Sequence, residues 1–148
     1  MIITYRHDDG TVEQLSSEEL SAIESADIEE AMGGTPWREV EDRLRAQDPT
    51  AMRAVLWAVR KRTETGLQFG AFDVPGWRRR LTARLERTEI DDVLGNIVAE
   101  ALAKNEDAAI DSMLPYMRKL AHDRADIDAA LDALGKGHLA AAPADSAD

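Results

Sequence analysis

The chain has 148 residues, 44% of them hydrophobic and none of them cysteine, with a formal net charge of −11. That length holds one domain or two small ones with a modest core. The lack of cysteine excludes a disulfide framework and a thiolate metal site, and it suits a reducing cytoplasm. No run of about 18 consecutive apolar residues occurs, as a spanning helix would need. The charges in the opening "MIITYRHDDGTVEQL" do not read as a leader, so a soluble, unprocessed protein is expected. Charge falls in blocks: 1 basic and 9 acidic residues from Met1 to Pro36, 12 and 7 from Trp37 to Arg87, and 5 and 13 from Thr88 to Asp148. Either the oppositely charged blocks fold against one another, the favoured reading, or the basic centre meets an acidic partner.

In chain order, "IITYRH" and "TVEQL" flank "DDG" and predict a short N-terminal β-hairpin, or else a frayed arm, with Ile3, Tyr5, Val12 and Gln14 alternating. "SSEELSAIESADIEEAMGG" predicts a helix capped by Ser16 or Ser17, with a thin apolar face of Leu20, Ile23 and Ile28 and a stop at Gly33-Gly34. "TPWREVEDRLRAQD" restarts with Thr35 as cap and Pro36 at the first helical position, and places Trp37, Val40 and Leu44 on one side.

The next helix, Pro49 to about Thr63, gathers Met52, Val55, Leu56 and Val59 in one arc and points Trp57 almost opposite, among Arg53, Arg60 and Lys61. "GLQFGAFDVPGW" reads as an ordered loop pinned by Leu67, Phe69 and Phe72. "WRRRLTARLER" reads as a basic helix with Trp77, Leu81 and Leu85 at spacings of four.

From Glu89 two regular apolar stripes predict a helical hairpin, joined at "NEDAA" with Asn105 as stop and Asp107 as cap; Pro115 should kink the second helix or mark a later start. "DIDAALDAL" is a third helix ending at Gly135, and the rest reads as a disordered tail. The fold class is therefore mainly α, divided into a helical domain with the hairpin at 1–87, a helical hairpin plus short helix at 88–134, and a tail at 135–148.

Chemistry-bearing patterns are sparse. His7 beside Asp8 and Asp9, and His122 beside Asp123 and Asp126, read as solvated surface charge rather than metal ligands. Neither a nucleophile elbow nor a phosphate-binding glycine loop is present, and carboxylate pairs such as Asp91-Asp92 sit on helix faces expected to be exposed. No enzyme, cofactor or metal is expected. The basic run Arg78-Arg79-Arg80 with Arg84 and Arg87 raises nucleic acid as a partner, but the overall negative charge and the interleaved acids weigh against it.

Trp and Arg are the residue types most frequent at binding hot spots. A partner-binding set of Trp57, Arg53, Arg60, Phe69, Phe72 and Trp77 follows, in which Trp57 either stacks with Arg53 or Arg60 as a surface anchor or packs under the preceding helix or the aromatic loop.

The stretch "WREVEDRLRAQDPTAMRAVLWAVRKRTETGLQFGAFD", Trp37 to Asp73, joins a Trp-led helix, a "D-P-x-A-[LM]-x-A-[LV]-[LV]-W" helix with a basic end and a Phe-Asp loop. It resembles the tail assembly chaperones of long-tailed, siphovirus-type bacteriophages of actinobacteria, over about a quarter of the chain. The resemblance implies a helical, non-enzymatic chaperone in the host cytoplasm, absent from the mature virion. Such a protein binds the tape measure protein, keeps it soluble and helps recruit tail tube subunits. By the match, Trp37, Leu56, Trp57, Phe69 and Phe72 would build a core or a groove, and the hairpin after Thr88 departs from the pattern as a module for homo-oligomerisation. The alternatives are another phage structural or head–tail joining protein, or a nucleic-acid-binding regulator.

Overall fold

The computed structural model describes residues 1–104 and 107–141, with 107–109 and 136–141 as backbone only. The described residues divide into two compact units, which meet in the chain at Arg84 and Leu85.

In the first unit the hairpin forms. Strand β1 (Ile2–Arg6) pairs antiparallel with β2 (Val12–Ser16). Gly10 adopts φ 87°, a backbone region costly for residues with a Cβ, and the Asp9 carboxylate accepts hydrogen bonds from the amide and hydroxyl of Thr11. Ile3 lies opposite Leu15 and is fully buried. Side chains alternate across a strand, so Val12 and Gln14 fall on the other face and are exposed rather than continuing the face of Ile3 and Tyr5.

Helix α1 (Ala22–Ala31) starts later than the serines at 16 and 17 suggest. Ser16 caps a separate 3-10 turn, Ser17–Glu19, and Ser21 caps α1 in a reciprocal capping box with Glu24. Ile28 is buried while Ile23 is 75% exposed, because residues five apart on a helix lie about 140° apart and cannot share a face. Beyond the Met32 cap Gly33 takes φ 76°, and the Gly34 amide reaches back to the Glu29 carbonyl in a Schellman closure.

Helix α2 (Trp37–Arg45) begins at Trp37, with Pro36 as its extended N-cap rather than its first helical residue and the Trp37 amide donating to the Glu29 carboxylate. Thr35 does not cap it; its buried hydroxyl donates to the Met32 carbonyl at 2.8 Å. Val40 and Leu44 are buried. Helix α3 (Pro49–Arg60) follows after a single tight turn, its first amides accepted by Asp48.

The run read as one basic helix divides. Trp77–Arg80 is a single helical turn, α4, and Leu81–Arg84 is strand β3, antiparallel to β1, giving the sheet order β2-β1-β3. Leu81 and Ala83 are buried and Thr82 and Arg84 are partly exposed, a period of two that the spacing of four from Leu81 to Leu85 contains equally well. The free edge of β1 decides between the two readings.

The charge blocks of this unit do fold against one another. Arg60 pairs with Glu13 at 2.7 Å, Lys61 with Asp27 at 2.6 Å, Arg62 with Glu24 at 2.6 Å, and Arg80 with Asp8. Arg62 holds the Glu24 carboxyl down to about 2, helped by the Ser21 amide and hydroxyl. A carboxyl depressed in the folded state stabilises the fold above its ordinary value of 4.5, and the contribution is lost as pH falls from there toward 2. Glu24→Gln is therefore expected to lower the urea midpoint at pH 7 and to flatten its decline between pH 5 and 2. A variant whose acid limb overlays the parent's would show that this pair carries none of the pH dependence.

In the second unit α5 (Arg87–Lys104) packs on both α6 (Asp107–Leu120) and α7 (Ala125–Ala141). Ile90, Leu94, Ala101, Met117, Ile127 and Ala130 are buried. Leu85 is tied to the far end of α6, donating to the Leu120 carbonyl and accepting from the His122 amide. Helix α6 runs through Pro115 without a later start, and Asp107 is its first residue; the stop expected at Asn105 lies outside the described residues. Helix α7 continues past Gly135 to Ala141, beyond the stop expected there, and the remainder of the tail, 142–148, lies outside the described residues.

Candidate functional site

Helix α3 is buried nearly all round: Ala51, Met52, Ala54, Val55, Leu56, Trp57 and Ala58 are all covered. A helix apolar on every side belongs in a core, and α1, α2, β1 and β3 all pack on this one. The aromatic loop covers the remaining side, including Trp57, which is 6% exposed.

Two residues one turn apart fasten that loop. The Trp57 indole N–H donates to the Leu67 carbonyl at 3.0 Å, and the ring meets Phe69 edge to face with centroids 5.4 Å apart. Arg53 lies with its guanidinium carbon 4.0 Å from the Phe69 centroid and donates to the Phe72 carbonyl at 2.8 Å. Trp57 is thus a buried loop fastener and not an exposed anchor. The cation over its ring is Lys61, at 4.6 Å; Arg53, equally one turn away, lies over Phe69 instead, and Arg60 pairs with Glu13.

Of the six residues expected to bind a partner, Trp57, Arg53, Phe69 and Phe72 come together. Arg60 turns instead to Glu13, whose carboxylate also meets His7 at 3.2 Å, beside a hollow of about 270 Å³ that Tyr5, Leu56 and Phe72 help to line. Trp77 stacks under Arg78 and borders a separate hollow of about 190 Å³ with Pro49, Arg53 and Val74. The basic end of α3 is likewise committed internally, which removes three cations from the set a phosphate backbone could use.

A third recess, larger than these two, lies between the loop and α1. A groove of about 530 Å³ runs between α1 and residues 66–70, floored by Trp57, Leu67, Phe69 and Ala31 and rimmed by Asp27, Glu30 and Lys61. Its α1 wall escaped the sequence reading, although the spacing carried a signal: Ile23, Asp27 and Glu30 are four and three residues apart and share one stripe.

Searches of protein-family models, curated proteins and solved structures find no match to this chain.

Among the described residues no group of three or more His, Asp or Glu side chains could hold a metal ion, and no helix is long and apolar enough to cross a membrane. No buried side-chain polar atom among them lacks a hydrogen-bond partner. What the first unit offers a ligand is shape, apolar surface and a carboxylate rim.

Proposed function

We propose that this chain is a tail assembly chaperone of a long-tailed bacteriophage, a non-enzymatic protein that holds the tape measure protein soluble in the host cytoplasm, helps recruit tail tube subunits and is left out of the finished virion. The observation that carries the reading is that the stretch bearing the resemblance folds as one piece. Arg53 and Trp57 tie α3 to the Phe-Asp loop, α2 packs on α3, and an open groove lies between the loop and α1. A tape measure protein is long and helical and exposes apolar stripes, which a helical protein with an open apolar surface covers by groove packing.

The second unit adds a surface for assembly. Leu102, Met113 and Tyr116 are exposed large apolar side chains on α5 and α6, consistent with self-association of the chaperone.

Co-expression with a tape measure protein from the same genome is expected to raise the soluble yield of that protein several-fold and to let the two co-purify. An unchanged yield would overturn the proposal. A tight, sequence-dependent shift of DNA or RNA at physiological salt would favour the regulator instead.

A further inference from the structure

We propose that the groove between α1 and the 66–70 loop is the docking site for a cationic amphipathic helix, one with Lys or Arg beside its apolar stripe; this deepens the chaperone reading and rests on it for the identity of the partner. Three observations select that occupant. Leu67, Phe69 and the edge of Trp57 put apolar side chains into a lining that also holds Gln68 and the charged rim, and Ile23, 75% exposed on the stripe it shares with Asp27 and Glu30, adds apolar surface along α1. From Ile23 to Ala31 that helix rises about 12 Å, enough to lie along about two turns of a docked helix.

Charge supplies the second selection. Lys61 answers Asp27 at 2.6 Å, whereas Glu30 has no cation partner among the described residues, so the rim is left one negative charge in excess. A Lys or Arg flanking the apolar stripe of the incoming helix would complete it, and an acidic helix would be repelled. Backbone chemistry is the third. The groove is walled by a helix and a short loop rather than by a strand edge, so an extended peptide would bury amide groups without partners, while a helix brings its own hydrogen bonds.

Gly70 provides a direct test. It lines the groove, its φ lies outside the positive region, and a Cβ added there meets nothing within 4 Å. A large side chain at this position has space, and it adds bulk to the groove's lining without altering net charge.

The experiment measures fluorescence anisotropy of labelled peptides of about 18 residues, long enough for partial helicity. One is an amphipathic Leu/Ala/Lys helix, one has the same composition with the leucines scrambled, and one carries Glu in place of Lys. The amphipathic cationic peptide is expected to bind at about 0.15 M salt, where long-range attraction to the acidic chain is largely screened. Glu30→Lys and Gly70→Tyr are each expected to weaken it by about tenfold or more, with circular dichroism reporting that the variants are folded. Equal binding of the scrambled or the acidic peptide would overturn the proposal, as would affinity unchanged in Gly70→Tyr. If Gly70→Tyr does not fold, Glu30→Lys at its exposed position decides alone. Repeating the co-expression with the two variants separates the two readings: a tape measure protein solubilised equally by parent and variants leaves the chaperone and refutes the groove, while peptide binding without any solubilisation does the reverse.

Discussion

Trp57→Ala is expected to destabilise the first unit by about 3–5 kcal/mol, the range for deleting a large aromatic from a packed interior. Two losses combine. The indole fills the space between α3 and the loop at 6% exposure, and its N–H is the donor to the Leu67 carbonyl. Without the ring, Phe69 loses its edge-to-face partner and Lys61 the surface on which its ammonium rests. For a domain of this size the melting transition should fall by roughly 12 °C or more. Trp57→Phe keeps an aromatic body but not the N–H, and its cost should be nearer 1–2 kcal/mol. Urea or thermal unfolding followed by circular dichroism decides the matter. A Trp57→Ala protein that melts with the parent would mean that the loop does not depend on this ring.

The second large effect concerns Gln47, which the sequence does not mark at all. Helix α2 closes as α1 does, with the amide of the second residue beyond the cap reaching back into the last turn, Asp48 to Arg43 here and Gly34 to Glu29 there. In α1 the left-handed position belongs to Gly33, whereas in α2 Gln47 holds it at φ 60°, a conformation that costs a residue with a Cβ about 1 kcal/mol or more.

The compensation is at the sheet. The Gln47 amide oxygen accepts from the Ala83 N–H at 3.1 Å and its NH₂ donates to the Ala83 carbonyl at 2.6 Å, so one side chain pairs with strand β3 as a neighbouring strand would. Gln47→Ala keeps the strain and strips both partners from a buried residue, and should cost about 2–4 kcal/mol. Gln47→Gly relieves the strain and loses the same bonds, so its cost should fall between that of the alanine variant and zero. A glycine variant at least as stable as the parent would show that the side-chain pairing contributes nothing.

Local chemistry made much of the architecture readable. The Asp-Gly turn, the Gly33-Gly34 stop, the Asp48-Pro49 start and the apolar stripes of α5 and α6 each depend on residues within a few positions, so the mainly helical class and the N-terminal hairpin follow from the sequence alone. The opposed charge blocks pair within the first unit, because any compact arrangement of whole blocks brings some of their members together.

What the sequence could not decide depends on partners far along the chain. "LTARL" carries both a helical and a strand period, and β1 selects the strand by offering unpaired backbone groups, which cost free energy if buried unsatisfied. Gln47 and Ala83 lie 36 residues apart, and no local rule places a glutamine in a glycine position for the sake of a strand that far away. Trp57 is the sharpest case. Its position opposite the apolar arc of α3 suits an exposed anchor or a second buried face, and periodicity gives both the same signature. Only the return of Leu67 and Phe69 over the ring makes it core, and the same return opens the groove between the loop and α1, because a side chain's burial is a property of what comes to cover it.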